Sequence, residues 1–137
     1  MGSRKFLDYQ MMKEKFKEFL EFYGWKEDGI TIVSGGAKGA DTLAEKLADE
    51  FGYAKKIMKA DWKNIYTRDA VVKEGQYGLY NVKAGLNRNL DIADDVGVVI
   101  AFWDGKSTGT RHMIKACRDR DRIVEVVRYE DDRRHQL

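Results

Sequence analysis

Two glycine-rich turns carry the residues best suited to chemistry. The first holds Ser34, Gly35, Gly36, Ala37, Lys38, Gly39, Ala40 and Asp41; the second holds Asp104, Gly105, Lys106, Ser107, Thr108, Gly109 and Thr110. Each follows an apolar run (residues 30–33 and 98–102) and opens onto a segment with helical periodicity. A strand that ends in small residues and turns into a helix leaves backbone N–H groups aimed at one spot. The helix N-terminus adds partial positive charge there, so the spot attracts phosphate. Two such turns in one chain point to a nucleotide or a nucleotide derivative.

The neighbouring side chains extend that chemistry. Gly35 and Gly36 in succession admit positive φ and a close ligand approach, although the same pair also serves a tight turn with no ligand. Lys38 is placed to pair with a phosphate. Asp41 either caps the following helix or accepts from ribose hydroxyls. Ser107, Thr108 and Thr110 offer hydroxyls at the second helix start, where N-capping is their other use. Asp104 directly follows a buried strand, a position suited to a catalytic or ribose-binding carboxylate. Arg88, between Asn87 and Asn89, is a further phosphate ligand. Trp62 and Trp103 are candidates for stacking on a base, although tryptophans also fill cores. His112 reads as a neutral surface histidine beside the second turn, and His135 lies in the tail, outside the site.

Several familiar motifs are excluded. Gly105-Lys106-Ser107-Thr108 imitates the end of a P-loop, but that pattern needs a glycine five residues earlier and Ile100 stands there. The glycines of the first turn are wrongly spaced for a dinucleotide fingerprint. No His/Cys/carboxylate cluster has metal-ligand spacing, and no Ser/His/Asp arrangement is visible. Neither a metal nor a cofactor is expected.

The elements that must position these residues alternate. Helical periodicity covers residues 6–23, 41–51, 87–94 and 110–120; strands are expected over 30–33, 54–58, 97–102 and 123–127. This order predicts an α/β domain with one doubly wound, mainly parallel sheet and helices on both faces, its ligand beyond the carboxyl ends of the strands. Residues 61–86 show no clear period and scatter Trp62, Tyr66, Tyr77 and Tyr80 among glycines, which reads as a binding loop or lid. Residues 1–129 form the domain and residues 130–137 a charged tail.

The chain has 137 residues and a net charge of +2, with 43% hydrophobic and 35% charged residues. This fits one domain. The near-neutral balance argues against a surface built mainly to neutralise nucleic-acid phosphates. The single cysteine, Cys117, has no internal disulfide partner, reads as a packing residue, and fits a reducing, cytoplasmic setting. No apolar run reaches the roughly 20 residues that span a membrane, so no membrane partner is expected.

Taken in order, Ser34 to Asp41, then Ala60-Asp61-Trp62, Asn87-Arg88-Asn89, Ala93-Asp94 and Ala101 to Thr110 resemble the YspA-like family of the SLOG superfamily. The likeness covers roughly residues 2–128. It implies a Rossmann-like fold and binding, as sensing or sequestration, of a phosphate- and ribose-containing ligand such as an ADP-ribose relative. The superfamily also includes Lonely Guy phosphoribohydrolases and the DNA-processing protein A. An N-glycosidic or phosphate-bond hydrolase, with Asp104 and Arg88 as catalytic residues, is therefore the alternative, and a nucleic-acid-associated module is a second. The phosphoribohydrolase motif carries a glutamate where this chain has Met113, which weighs against that reaction. Family members also begin with an apolar strand before Gly-Ser-Arg, whereas Gly2-Ser3-Arg4 here follows Met1 directly. The resemblance thus implies a missing first strand and a strand-exchanged or tightly associated homodimer.

Overall fold

The computed structural model describes residues 2, 3, 6–66, 70–76 and 78–130. Helix α1 (Tyr9–Tyr23) starts where the Asp8 carboxylate accepts from the Met11 N–H at 2.9 Å and stops at Gly24, whose φ of 67° suits glycine. A short 3₁₀ turn (Glu27–Gly29) leads into β1 (Thr31–Ser34). The first glycine turn connects β1 to α2 (Ala40–Phe51), and β2 (Ala54–Ile57) pairs in parallel with β1. After β3 (Val72–Gly75) and β4 (Gly78–Asn81) come α3 (Ala84–Asp95), β5 (Val98–Trp103), α4 (Thr108–Asp119) and β6 (Ile123–Arg128).

Strand β5 carries a core on each side. Phe102 joins Phe6, Met12, Ala40, Leu47 and Val127, where Phe6 stacks on Phe102 at 4.7 Å and meets Tyr129 edge-on at 4.8 Å. Val99 joins Ile92, Ala93, Met113, Ala116 and Cys117 beneath α3 and α4. Burial on both faces explains why β5 is apolar throughout rather than alternating. Each large side chain removed from water contributes about 1.5–3 kcal/mol.

The expected single doubly wound sheet is not formed. The strands make three two-stranded sheets: β1–β2 parallel, β3–β4 antiparallel and β5–β6 parallel. No strand among the described residues joins β1 to β5. A cleft of about 790 Å³ runs between them, its walls including Met12, Phe16, Ile32, Val99 and Ile100. On the edge of β5 away from β6, the described residues make one isolated parallel bridge, from Gly2 to Phe102. Ser3 N–H donates to Phe102 O at 3.1 Å, and Ala40 N–H donates to Ser3 O at 3.3 Å. A two-residue segment spans the gap at the carboxyl end and leaves the remainder of the two strands unjoined.

Residues 61–86 also differ from expectation, because β3 and β4 form a hairpin inside them. Asn81 closes its base: the buried side chain accepts from Val71 N–H at 3.2 Å and Lys83 N–H at 3.0 Å. Tyr77 lies outside the described residues, as do His135 and most of the charged tail. No helix among the described residues is long and apolar enough to cross a membrane.

Candidate functional site

Helix α3 ties the two glycine turns together. Arg88 Nη1 donates to Gly35 O at 2.6 Å, and Arg88 Nε donates to the Asn89 side chain at 3.1 Å. Asn89, 3% exposed, reaches the other way, and its Nδ2 donates to Gly109 O at 3.2 Å. Adjacent residues of one helix therefore hold the first turn and the second. His112 Nδ1 lies 3.4 Å from the same Asn89 amide. Burial, together with the nearby Lys115 and Arg120 charges, pushes the His112 imidazole below its ordinary range, so the ring is neutral and Nδ1 accepts.

The first turn is packed tightly around its glycines. A methyl group on Gly35 would lie 2.4 Å from Arg88 Nη1 and 2.9 Å from Asp41 Oδ2. Gly36 adopts φ 71°, open to glycine at no steric cost. Part of the donor set is already used: Gly36 N–H donates to Ser34 Oγ at 3.0 Å, and Ala37 N–H donates to Asp41 Oδ2 at 3.2 Å. Ser34 Oγ donates in turn to Glu45 Oε2 at 2.8 Å. The amides of Lys38 and Gly39 donate to no partner among the described residues, and the Lys38 side chain is exposed. Asp41 is 2% exposed. It does not cap α2, whose N-cap is Gly39 with no side-chain cap bond; its Oδ2 closes the turn instead, and its Oδ1 is buried without a hydrogen-bond partner among the described residues.

The second turn is organised by Asp104. Its Oδ1 accepts from the N–H groups of Lys106 and Ser107, both at 2.8 Å. Burial pushes this carboxyl upward, but the backbone donors outweigh it and hold it below the usual carboxylate range. Ser107 caps α4, its Oγ lying 3.1 Å from Thr110 Oγ1, and Thr110 is buried. The amides of Thr108 and Gly109, in the first helical turn, have no helical acceptor and no other partner among the described residues. Gly105 adopts φ 82° with the Arg128 guanidinium close over its backbone.

The tryptophans divide. Trp103 is committed locally: Nε1 donates to Ser107 O at 3.0 Å, and the Arg111 and Arg128 guanidinium carbons lie 5.5 and 5.2 Å from its ring centre. Trp62 is 39% exposed and packs against Gly85, one helical turn before Arg88 and Asn89, so it stands at the crevice end of α3. Met113 is fully buried in the core beside Ile92 and Val99. Cys117 is likewise buried, and burial raises its thiol pKa. Among the described residues no group of three or more His, Cys, Asp or Glu side chains is placed to hold a metal ion.

Sequence reasoning placed both turns and Arg88 in the site. It gives Asn89 no role of its own beyond the Asn87-Arg88-Asn89 motif, because an asparagine inside a helix is ordinarily solvated. It also missed Ser3 as a neighbour of Asp104.

Comparison with known proteins adds little beyond this geometry. The chain is similar to "Gene 61 protein" of Mycobacterium phage D29, with 30% identity over 93 residues, covering 64% of this chain and 62% of that protein. It thus spans less than two thirds of the curated relative it matches. No protein-family model and no solved structure matches the chain.

Proposed function

We propose that the crevice bounded by the two glycine turns and α3 binds a phosphate- and ribose-containing nucleotide derivative, ADP-ribose-like, in a sensing or sequestering role. The observation that carries this reading is the bridge made by α3. Arg88 holds one turn and Asn89 the other, so unpaired amides of Lys38, Gly39, Thr108 and Gly109 belong to one crevice with a cation at its edge. Phosphate takes those amides, and Asp41 Oδ1, buried without a partner among the described residues, is the acceptor assigned to a ribose hydroxyl. Trp62 is the better placed of the two tryptophans to meet a base. The resemblance to the YspA-like branch of the SLOG superfamily supports the same ligand class.

Hydrolysis is the weaker reading. Met113 fills core where the phosphoribohydrolase motif has its glutamate, and Asp104 is held ionised by backbone donors, which unfits it as a general acid. The nucleic-acid reading stays last because the net charge is +2. We also propose that the chain acts in the cytoplasm as a homodimer, with the apolar β1–β5 cleft as the surface that a second copy covers; sedimentation as a stable monomer at high concentration contradicts the dimer.

The test of binding is native mass spectrometry of the purified protein with AMP, ADP-ribose, NAD and cyclic ADP-ribose isomers, recording bound mass and any new product. Retention of an unaltered ligand supports sensing; release of base or ribose phosphate establishes the hydrolase.

A further inference from the structure

The second turn carries two cations that the crevice as described does not use. Arg128 is the last residue of β6, in register with Trp103, and Arg111 lies in the first turn of α4. Their guanidinium carbons sit 5.2 and 5.5 Å from the Trp103 ring centre. Neither guanidinium makes a salt bridge or a hydrogen bond among the described residues. Arg128 is also pressed against Gly105, where any side chain would collide with it.

Stacking occupies the face of a guanidinium and leaves its N–H edge free. Trp103 is itself fixed by the Nε1 bond to Ser107 O, so it forms a firm platform for both arginines. Two like charges held against one ring repel each other, and Asp104, the neighbouring carboxylate, already spends Oδ1 on two backbone donors. An anion received by both guanidinium edges relieves that repulsion, and arginine forks match phosphate oxygens. The unpaired Thr108 and Gly109 amides open on the same turn.

We propose that Arg111 and Arg128, ordered on Trp103, form a second anionic subsite, so that the preferred ligand carries a diphosphate rather than a single phosphate. This rests on the nucleotide reading above and names the ligand class within it. Arg88 at the first turn serves every phosphate ligand; the Trp103 pair serves the additional phosphate.

The test is titration calorimetry of the full chain with AMP and with ADP, alongside Trp emission. The native protein is expected to bind ADP at least tenfold more tightly than AMP. R111Q/R128Q is expected to bring ADP down to the level of AMP and to leave AMP within about twofold of native, whereas R88A weakens both. If the double variant does not fold, each single variant is expected to lose part of the preference. Equal binding of AMP and ADP by the native chain, or a preference that survives R111Q/R128Q, overturns the subsite and leaves the nucleotide reading standing. Binding of neither nucleotide overturns both. A single-stranded oligonucleotide that binds more tightly than ADP, and loses that binding in R111Q/R128Q, also overturns the proposal.

Discussion

Replacing Gly35 by alanine is a steric test of how the crevice is held together. Gly35 does not have a left-handed backbone, so alanine meets no conformational penalty there. The new methyl group would instead lie 2.4 Å from Arg88 Nη1 and 2.8 Å from its Cζ, far inside contact distance. The guanidinium must move and give up its 2.6 Å bond to Gly35 O. A hydrogen bond from a charged donor contributes about 1.5–3 kcal/mol. Because Arg88 is only half-buried, the lower end of that range applies, equivalent to roughly a tenfold change in an equilibrium constant. G35A is therefore expected to lower thermal stability and to weaken nucleotide binding by about tenfold. Since the closest clashes are with Arg88, a double-mutant cycle is expected to be non-additive: G35A costs less in an R88A background than in the native one, the remainder coming from the 2.9 Å approach to Asp41 Oδ2. Calorimetric binding and urea unfolding of the four proteins check this. Native-like binding by G35A, or additive losses, refutes the claim that Arg88 organises the first turn.

Three further outcomes follow from the same geometry. M113E places a carboxylate at a fully buried core position and is expected to cost about 3 kcal/mol or more by urea unfolding, less at acid pH where the group is neutral, without creating hydrolase activity. Asp104 has a lowered pKa in the folded chain, so its contribution is present above the unfolded value of about 3.9 and disappears as pH falls through the folded value. The stability gap between native and D104A proteins should therefore close below about pH 4 and stay constant from pH 5 to 8. His112 is also depressed in the folded state, so native stability should fall as pH drops below about 6.5, where the unfolded histidine takes up a proton first. H112N is expected to flatten that part of the melting-temperature profile; an unchanged slope contradicts the half-buried, neutral ring.

Much of the local structure was legible because periodicity and end signals agree. Each expected helix and strand outside residues 61–86 appears within a few residues of its expected bounds, and Gly24 and Gly52 end α1 and α2 as their types suggest. The hairpin was not legible: β3 is exposed along its whole length and β4 over its first half, so no apolar alternation marks them. The single sheet failed for another reason. Alternating helices and strands predict parallel crossovers, but which strands become neighbours depends on contacts far apart in sequence. Here, among the described residues, Gly2 and Ser3 alone bond to β5 on the edge away from β6. In the site, glycine spacing revealed both turns because their conformations need glycine at Gly36 and Gly105. The bridging role of Asn89 and the pairing of Trp103 with two arginines arise from packing between α3, α4 and β6, and residue type alone carries no trace of it.

The central claim is that one crevice, gripped by Arg88, holds a phosphate- and ribose-bearing ligand. Native mass spectrometry of the native and R88A chains with the AMP, ADP-ribose, NAD and cyclic ADP-ribose panel tests it most directly. The account predicts one unaltered ligand retained per chain by the native protein and lost in R88A. Retention of nothing, or equal retention by R88A, contradicts it.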